Sequence, residues 1–204
     1  MCIDIGRVSL RISPAFAVFL AISANIAEGR IYLITLMCVF FHEITHLIFL
    51  FISGCTGAVL NLYPGGIKLS ADGFSALSYK KTALCCICAP LMNITAAALF
   101  CIAGRHLGIP LLNEISAINL IMGSANLLPL PFLDGGRTLN ALFQMTHLGK
   151  KAEKCSDLLS IISLIVIFSV FFVLLLKGSY HFSLLCFFVY CTLGCICDKR
   201  TAVT

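Results

Sequence analysis

Six apolar runs, each near the length that crosses a bilayer, follow one another along this chain: roughly 13–28, 31–53, 81–103, 111–133, 157–176 and 181–197. A helix needs about 20 apolar residues to cross a hydrocarbon core about 30 Å thick. The first run is short, and the fourth is interrupted by Pro129 and Pro131. Hydrophobic residues make up 60% of the chain and charged residues 11%, against about 25% charged in soluble domains. A water-soluble fold could not cover that much apolar surface. The expected fold is therefore an all-α polytopic membrane protein with about six transmembrane helices, and its solvent is the lipid bilayer. Its 204 residues suit one domain, 1–204. The longest polar connector, 54–80, is too short for an inserted globular domain, and the tail after residue 197 is too short for a regulatory one.

The net charge of +5 would by itself suit a nucleic-acid partner, but its distribution reports orientation instead. With a cytoplasmic N-terminus, 11 of the 14 Lys and Arg fall in cytoplasmic segments, and only Arg30, Arg105 and Lys177 fall opposite. That asymmetry is the positive-inside pattern. It predicts a multi-pass protein of the cell membrane with both termini cytoplasmic and no nucleic-acid partner. Arg7 and Arg11 ahead of an apolar stretch resemble the start of a signal peptide. A second apolar run follows almost at once, so a retained first helix is the expectation.

The connector GCTGAVLNLYPGGIKLSADG alternates Val59, Asn61 and Tyr63 with Leu60 and Leu62. It turns at Pro64-Gly65-Gly66 and resumes at Ile67 and Leu69. This reads as a short β-hairpin at the cytoplasmic membrane edge, with an irregular loop as the alternative. The 12 cysteines lie mostly within apolar runs, where a free thiol acts as a small hydrophobe. Cys85 and Cys88 make a C-x-x-C, but no second pair follows at zinc-finger spacing. Cys195 and Cys197, near a membrane edge, are open to lipidation.

Within the second run, FHEITH places His42, Glu43 and His46 where charge is costly. An ionised group at the bilayer centre costs about 2.5–3.5 kcal/mol on insertion scales, so such residues are functional candidates. The i, i+4 spacing of His42 and His46 sets both imidazoles on one helical face. Both can then bind one zinc ion, with Glu43 as general base: this is H-E-x-x-H. Composition alone would produce the pattern in on the order of 1 in 400 such chains. The competing reading is a hydrogen-bonded polar cluster joining helices. Measured from Ile31, His42 lies about 16 Å and His46 about 22 Å along the helix at ~1.5 Å per residue. The site therefore belongs to the middle or cytoplasmic half.

A catalytic zinc needs a third protein ligand and an open position. The segment NLLPLPFLDGGR, 126–137, offers Asp134. Pro129 and Pro131 should break the helix and Gly135-Gly136 should permit a sharp turn, so Asp134 is expected to project from an unwound element. Non-helical backbone at membrane depth is tolerated only where it lines a cavity or is buried in protein. Glu114 and Asp72 are weaker ligand candidates, expected at membrane–water edges.

FHEITH, then APLMN at 89–93, then NLLPLPFLDGG resemble the site-2 protease family of intramembrane zinc metalloproteases, and within it the sporulation factor IVFB branch. The resemblance runs from about residue 10 to 197. It implies His42, His46 and Asp134 as metal ligands and Glu43 as catalytic base. It implies a place for Asn126 near the substrate or the oxyanion. Pro90 and Asn93 fit the family's third-helix G-P-x-x-N pattern, with Ala89 where the pattern has Gly, and Asn93 is read as substrate-binding. The segment near 59–70 is similar to the family's membrane-edge strands, which could pair with an unwound substrate by strand addition. No PDZ-sized insertion and no C-terminal nucleotide-sensing domain of the sporulation branch is expected.

The expected activity is zinc-dependent cleavage of a transmembrane or membrane-associated protein, in the manner of regulated intramembrane proteolysis, with any regulatory membrane partner unspecified. Two other classes use the same polar site. A metal or proton transporter would show inverted repeats, and none is visible. A catalytically inactive membrane scaffold would not need an intact ligand set.

Overall fold

Backbone polar groups in hydrocarbon must be satisfied within their own segment, which makes the helix the default for apolar runs. Most of the chain is helical in the computed structural model, which describes residues 2–26, 29–63, 66–146, 150–177 and 182–201. Among these, two strands, β1 (Cys2–Ile5) and β2 (Val8–Ile12), precede helices α1 (Pro14–Ile26) and α2 (Gly29–Ser53). Strands β3 (Ala58–Tyr63) and β4 (Gly66–Ala71) and a 3-10 turn (Phe74–Ala76) lead to α3 (Tyr79–Leu107) and α4 (Pro110–Asn126). The remaining helices are α5 (Asp134–Met145), α6 (Lys150–Leu176) and α7 (Phe182–Thr201). Three are long and apolar enough to cross a membrane: α2, α3, and α6 from Lys154 onward. This is a membrane protein. The expected first and fourth spans are represented by α1, of 13 residues, and α4, of 17, both shorter than the roughly 20 residues of a perpendicular span.

Contacts divide the chain into two compact units, Met1–Ser124 and Ala125–Thr204. In the first, the expected hairpin is present as β3 and β4, paired antiparallel; Pro64 and Gly65 of its turn lie outside the described residues. It is half of a four-stranded sheet in the order β1-β2-β3-β4. The N-terminal strands are a departure from expectation, since the residues around Arg7 and Arg11 read only as the flank of a first span. β2 pairs with β3 in parallel, Arg11 opposite Asn61. The registers align the alternation across all four strands. Leu10, Ile12, Leu60, Leu62 and Leu69 share one face, and Ser9, Arg11, Asn61 and Ser70 the other. From the apolar face, Leu69 and Ala71 pack against Leu50, Cys55 and Cys85.

The sheet joins α2 to α3, and these helices run antiparallel beside each other. Lys81 Nζ donates to the carbonyl of Ser53, 2.8 Å away, so a cation closes the C-terminal end of α2. Gly108, at φ 66°, ends α3 in the left-handed conformation. The α3–α4 packing depends on small residues. A Cβ on Gly123 would stand 2.8 Å from the carbonyl oxygen of Pro90 and 2.9 Å from Ile94 Cγ1. Ser116 Oγ donates to the Ala97 carbonyl at 2.7 Å. Close backbone approach with one interhelical hydrogen bond is how helices associate where the hydrophobic effect gives no drive.

In the second unit, Leu130, Ile167 and Cys191 form a buried core with Phe132, Phe187 and Leu164 packed against it. The expected interrupted fourth span is resolved into the end of α4, an irregular segment 127–133, and the separate helix α5. Asp134 is corrected accordingly: it is the first residue of α5, not part of the unwound element. The irregular backbone is held by its neighbours, since Ser160 Oγ on α6 donates to the Pro129 carbonyl at 2.9 Å.

Gly123→Val should force α3 and α4 apart, with an overpacking penalty of about 1–3 kcal/mol or more. Thermal unfolding in detergent should show a clearly lowered midpoint for Gly123→Val and little change for Ile121→Val, whose side chain is exposed.

Candidate metal centre

Helix α2 carries His42, Glu43 and His46 in its middle. The two imidazoles stack one turn apart, ring centroids 4.8 Å from each other and planes at 87°. His42 is buried; Glu43 and His46 are half-buried. The hydroxyl of Thr45, between them, donates back to the Phe41 carbonyl and is thereby satisfied within the helix.

His46 Nδ1 lies 2.8 Å from the backbone carbonyl of Cys85 on α3. A carbonyl only accepts, so Nδ1 carries the proton and Nε2 presents its lone pair. A hydrogen bond of this kind is one that can orient a histidine for metal ligation. The bond forms close to a proline within α3. Pro90 has no N–H for the carbonyl four residues before it, Cys86, and its ring crowds that turn. Together, the burial, the spacing and the fixed tautomer make this pair fit to hold a divalent ion.

Asn93 lies one turn beyond Pro90 and is fully buried. Neither its amide nitrogen nor its amide oxygen has a partner among the described residues. Counting two turns along each antiparallel helix from the His46–Cys85 contact sets Asn93 level with Cys38, one turn further along α2 than His42. Another asparagine belongs to this stretch and was not anticipated: Asn119 on α4, buried, donates to Cys38 Sγ at 3.1 Å and to the Ile115 carbonyl at 2.9 Å. Its signal was present in the sequence as an amide in the apolar run 117–123. The two weaker ligand candidates stand apart from the histidines. Glu114 pairs with Arg30 at the opposite end of α2, and Asp72 is exposed just past β4.

The second unit presents Asp134 and Asn126. Asn126, half-buried, is the last residue of α4. Asp134 is 8% exposed and opens α5, where the N-terminal partial charge of the helix favours a carboxylate. The two residues that follow must be glycine. A Cβ on Gly135 would collide with the Leu127 carbonyl, and one on Gly136 with that of Leu130. The helix start is thus pressed against the broken segment, which fixes where Asp134 sits. One turn on, Thr138 is buried, and its hydroxyl has no partner among the described residues.

Gly136→Ala should cost at least about 3 kcal/mol through that collision, whereas Arg137→Gln, at an exposed position, should stay within about 0.5 kcal/mol. Recovery of folded protein by size-exclusion in detergent, with a thermal melt, checks both.

The family model described as Peptidase family M50 matches residues 108–170. Among solved structures, the site-2 protease from Methanocaldococcus jannaschii is similar in fold, with a TM-score of 0.65 and 20% sequence identity over 96% of this chain and 93% of that one. No curated protein matches the sequence.

Proposed function

We propose that this chain is an intramembrane zinc metalloprotease of the site-2 protease type. One observation carries the reading: His42 and His46 sit one turn apart on α2 with the orientation of His46 fixed by the Cys85 carbonyl, and Asp134 is taken as the third ligand. Two imidazoles and a carboxylate are a donor set suited to zinc with a coordination position left open. The family-model match supports the reading independently, because residues 108–170 include Asn126 and Asp134 but not the H-E-x-x-H helix. The fold likeness to a site-2 protease adds the architecture, and three apolar helices add the membrane.

In this proposal zinc, when bound, supplies Lewis acidity that brings a water's pKa towards about 7 and polarises the scissile carbonyl. The rest belongs to the chain. His46 is held ready by Cys85, so no proton has to leave Nδ1 for ligation. Glu43, next to His42 on the same helix, takes the proton of the attacking water and delivers it to the leaving amine. The amide N–H of Asn126 stabilises the oxyanion. Asn93, with both amide atoms unpartnered, holds the substrate backbone by one donor and one acceptor bond. The substrate is a transmembrane or membrane-edge segment of another protein. It must be unwound first, since a helical peptide bond is shielded by its own hydrogen bonds. Both termini face the cytoplasm, as the 11-to-3 distribution of Lys and Arg supports, and the spans act as one catalytic core.

Glu43→Gln should retain stoichiometric zinc while cleavage of a membrane-embedded model substrate falls by about 10²–10⁴-fold. Asp134→Asn should lose zinc while keeping its thermal melt. Elemental analysis of purified protein, run beside the cleavage assay, reads both. Wild-type cleavage by Glu43→Gln, or full zinc occupancy in Asp134→Asn, would overturn the respective assignment. Metal flux into vesicles without proteolysis would favour a transporter.

A further inference from the structure

We propose that the polar face of the sheet binds the phosphate of an anionic phospholipid headgroup, in the groove at Arg11, Asn61 and Tyr63. β3 and β4 lie in the segment between the end of α2 and the start of α3, two helices long and apolar enough to cross a membrane. A sheet tied to the adjacent ends of two such helices lies at the membrane–water edge. β2 pairs along the whole of β3, so it lies at the same level.

The surroundings match a headgroup region. The sheet is amphipathic, with Leu10, Ile12, Leu60, Leu62 and Leu69 on one face and Ser9, Arg11, Asn61 and Ser70 on the other. Tyr63, Phe74 and Tyr79 are exposed around it, at 40%, 38% and 52%. Aromatic rings in that setting form an interfacial belt. From residue 2 to 81, excluding α1, α2 and the connection between them, the basic residues are Arg7, Arg11, Lys68, Lys80 and Lys81, against Asp4 and Asp72. Each basic group near an anionic leaflet is worth about 1 kcal/mol of attraction.

The groove itself has a volume of about 310 Å³ and runs where β2 hands over to α1. Its polar lining is Arg11, Ser13, Asn61 and Tyr63, with Cys2 at one side and no carboxylate. Arg11 is exposed and has no ion-pair partner among the described residues. Cys2, Arg11, Asn61 and Lys68 are directly opposite one another in the strand registers, so the guanidinium and the Asn61 amide are cross-strand neighbours. Asp4, the acid nearest in register, stands opposite Ser9, and its carboxylate accepts from Cys2 Sγ at 3.9 Å, at the side of the groove. Ser13 Oγ accepts from Phe16 N–H at 3.2 Å, which leaves its hydroxyl hydrogen to donate. A planar guanidinium flanked by an amide, a hydroxyl and a phenol is a donor set for phosphate oxygens. Its place at the root of α1 sets it at the depth of a lipid phosphate rather than in bulk water.

The full chain, reconstituted in bilayers of phosphatidylcholine with spin-labelled phosphatidylglycerol or spin-labelled phosphatidylcholine, provides the test. Electron paramagnetic resonance reads the share of label held at the protein surface. Wild type should hold phosphatidylglycerol at least about five-fold more strongly than phosphatidylcholine, the scale expected of one basic group, with the neighbouring basic residues adding to it. That preference should shrink as salt rises from about 0.05 to 0.5 M, where the Debye length falls several-fold. Arg11→Gln should lower the ratio by about five-fold, Arg11→Lys should lower it less, and Arg105→Gln, at the far end of α3, should leave it unchanged. No preference in wild type, or an unchanged ratio in Arg11→Gln, overturns the proposal. Displacement of the label by inorganic phosphate at low millimolar concentration would make free phosphate the occupant and would also overturn it. The readout is lipid association, so it stands apart from whether the chain cleaves peptides.

Discussion

A polar group within hydrocarbon must be partnered, and the hydrogen bond from His46 Nδ1 to the Cys85 carbonyl shows how much follows from that requirement. An unpaired imidazole N–H at this depth would carry the full desolvation penalty of a buried donor, about 1–3 kcal/mol or more. Spending the bond on α3 ties α2 to α3 at a defined height and rotation. The same bond removes the tautomer ambiguity, because the carbonyl only accepts and Nδ1 must carry the proton. One contact thus fixes both the pairing of the helices and the orientation of the ring, and the ring cannot turn without separating the two helices.

The same economy recurs wherever polar backbone meets the apolar interior. In the second unit the proline-broken segment 127–133 would leave carbonyls exposed to hydrocarbon. One of them, Pro129, is taken by Ser160, and those of Leu127 and Leu130 are approached by the glycines that begin α5. The D-G-G sequence is then not a flexible hinge. It is a close-packed junction in which the two glycines have no room for a Cβ and the aspartate has a fixed starting point on a helix.

The H-E-x-x-H helix was fully legible in the sequence, because i, i+4 spacing is a local property of an α-helix and needs no tertiary information. The hairpin was legible for a similar reason, since strand alternation and a Pro-Gly-Gly turn are local too. The N-terminal strands were not. β2 is recognised as a strand only through its parallel partner β3, about 50 residues on, and parallel pairing over that separation leaves no local mark. Asp134 was legible as a candidate, but its helix was not. Two prolines and two glycines read as continued disorder of the chain path, whereas they end one helix and permit another to start at once. Asn119 was missed because a lone amide in an apolar run has no motif, and only its contact with Cys38 gives it a place.

The amphipathic sheet follows from the same constraint applied at the boundary instead of the interior. Between two helices long and apolar enough to cross a membrane the chain must turn back, and each exposed N–H and C=O in such a turn needs a partner. Four paired strands satisfy most of those groups internally, while the period of two sorts side chains between an apolar and a polar environment. Addition of β1 and β2 to the hairpin also covers one edge of β3, leaving β1 and β4 as the outer strands. A sheet built this way has a determined depth: its leucine face cannot rise into water and its Arg11 face cannot sink into hydrocarbon. The helices that carry His42 and Cys85 are attached to it at both ends of the hairpin segment, so the position of the two histidines is set from the sheet as much as from the helices themselves.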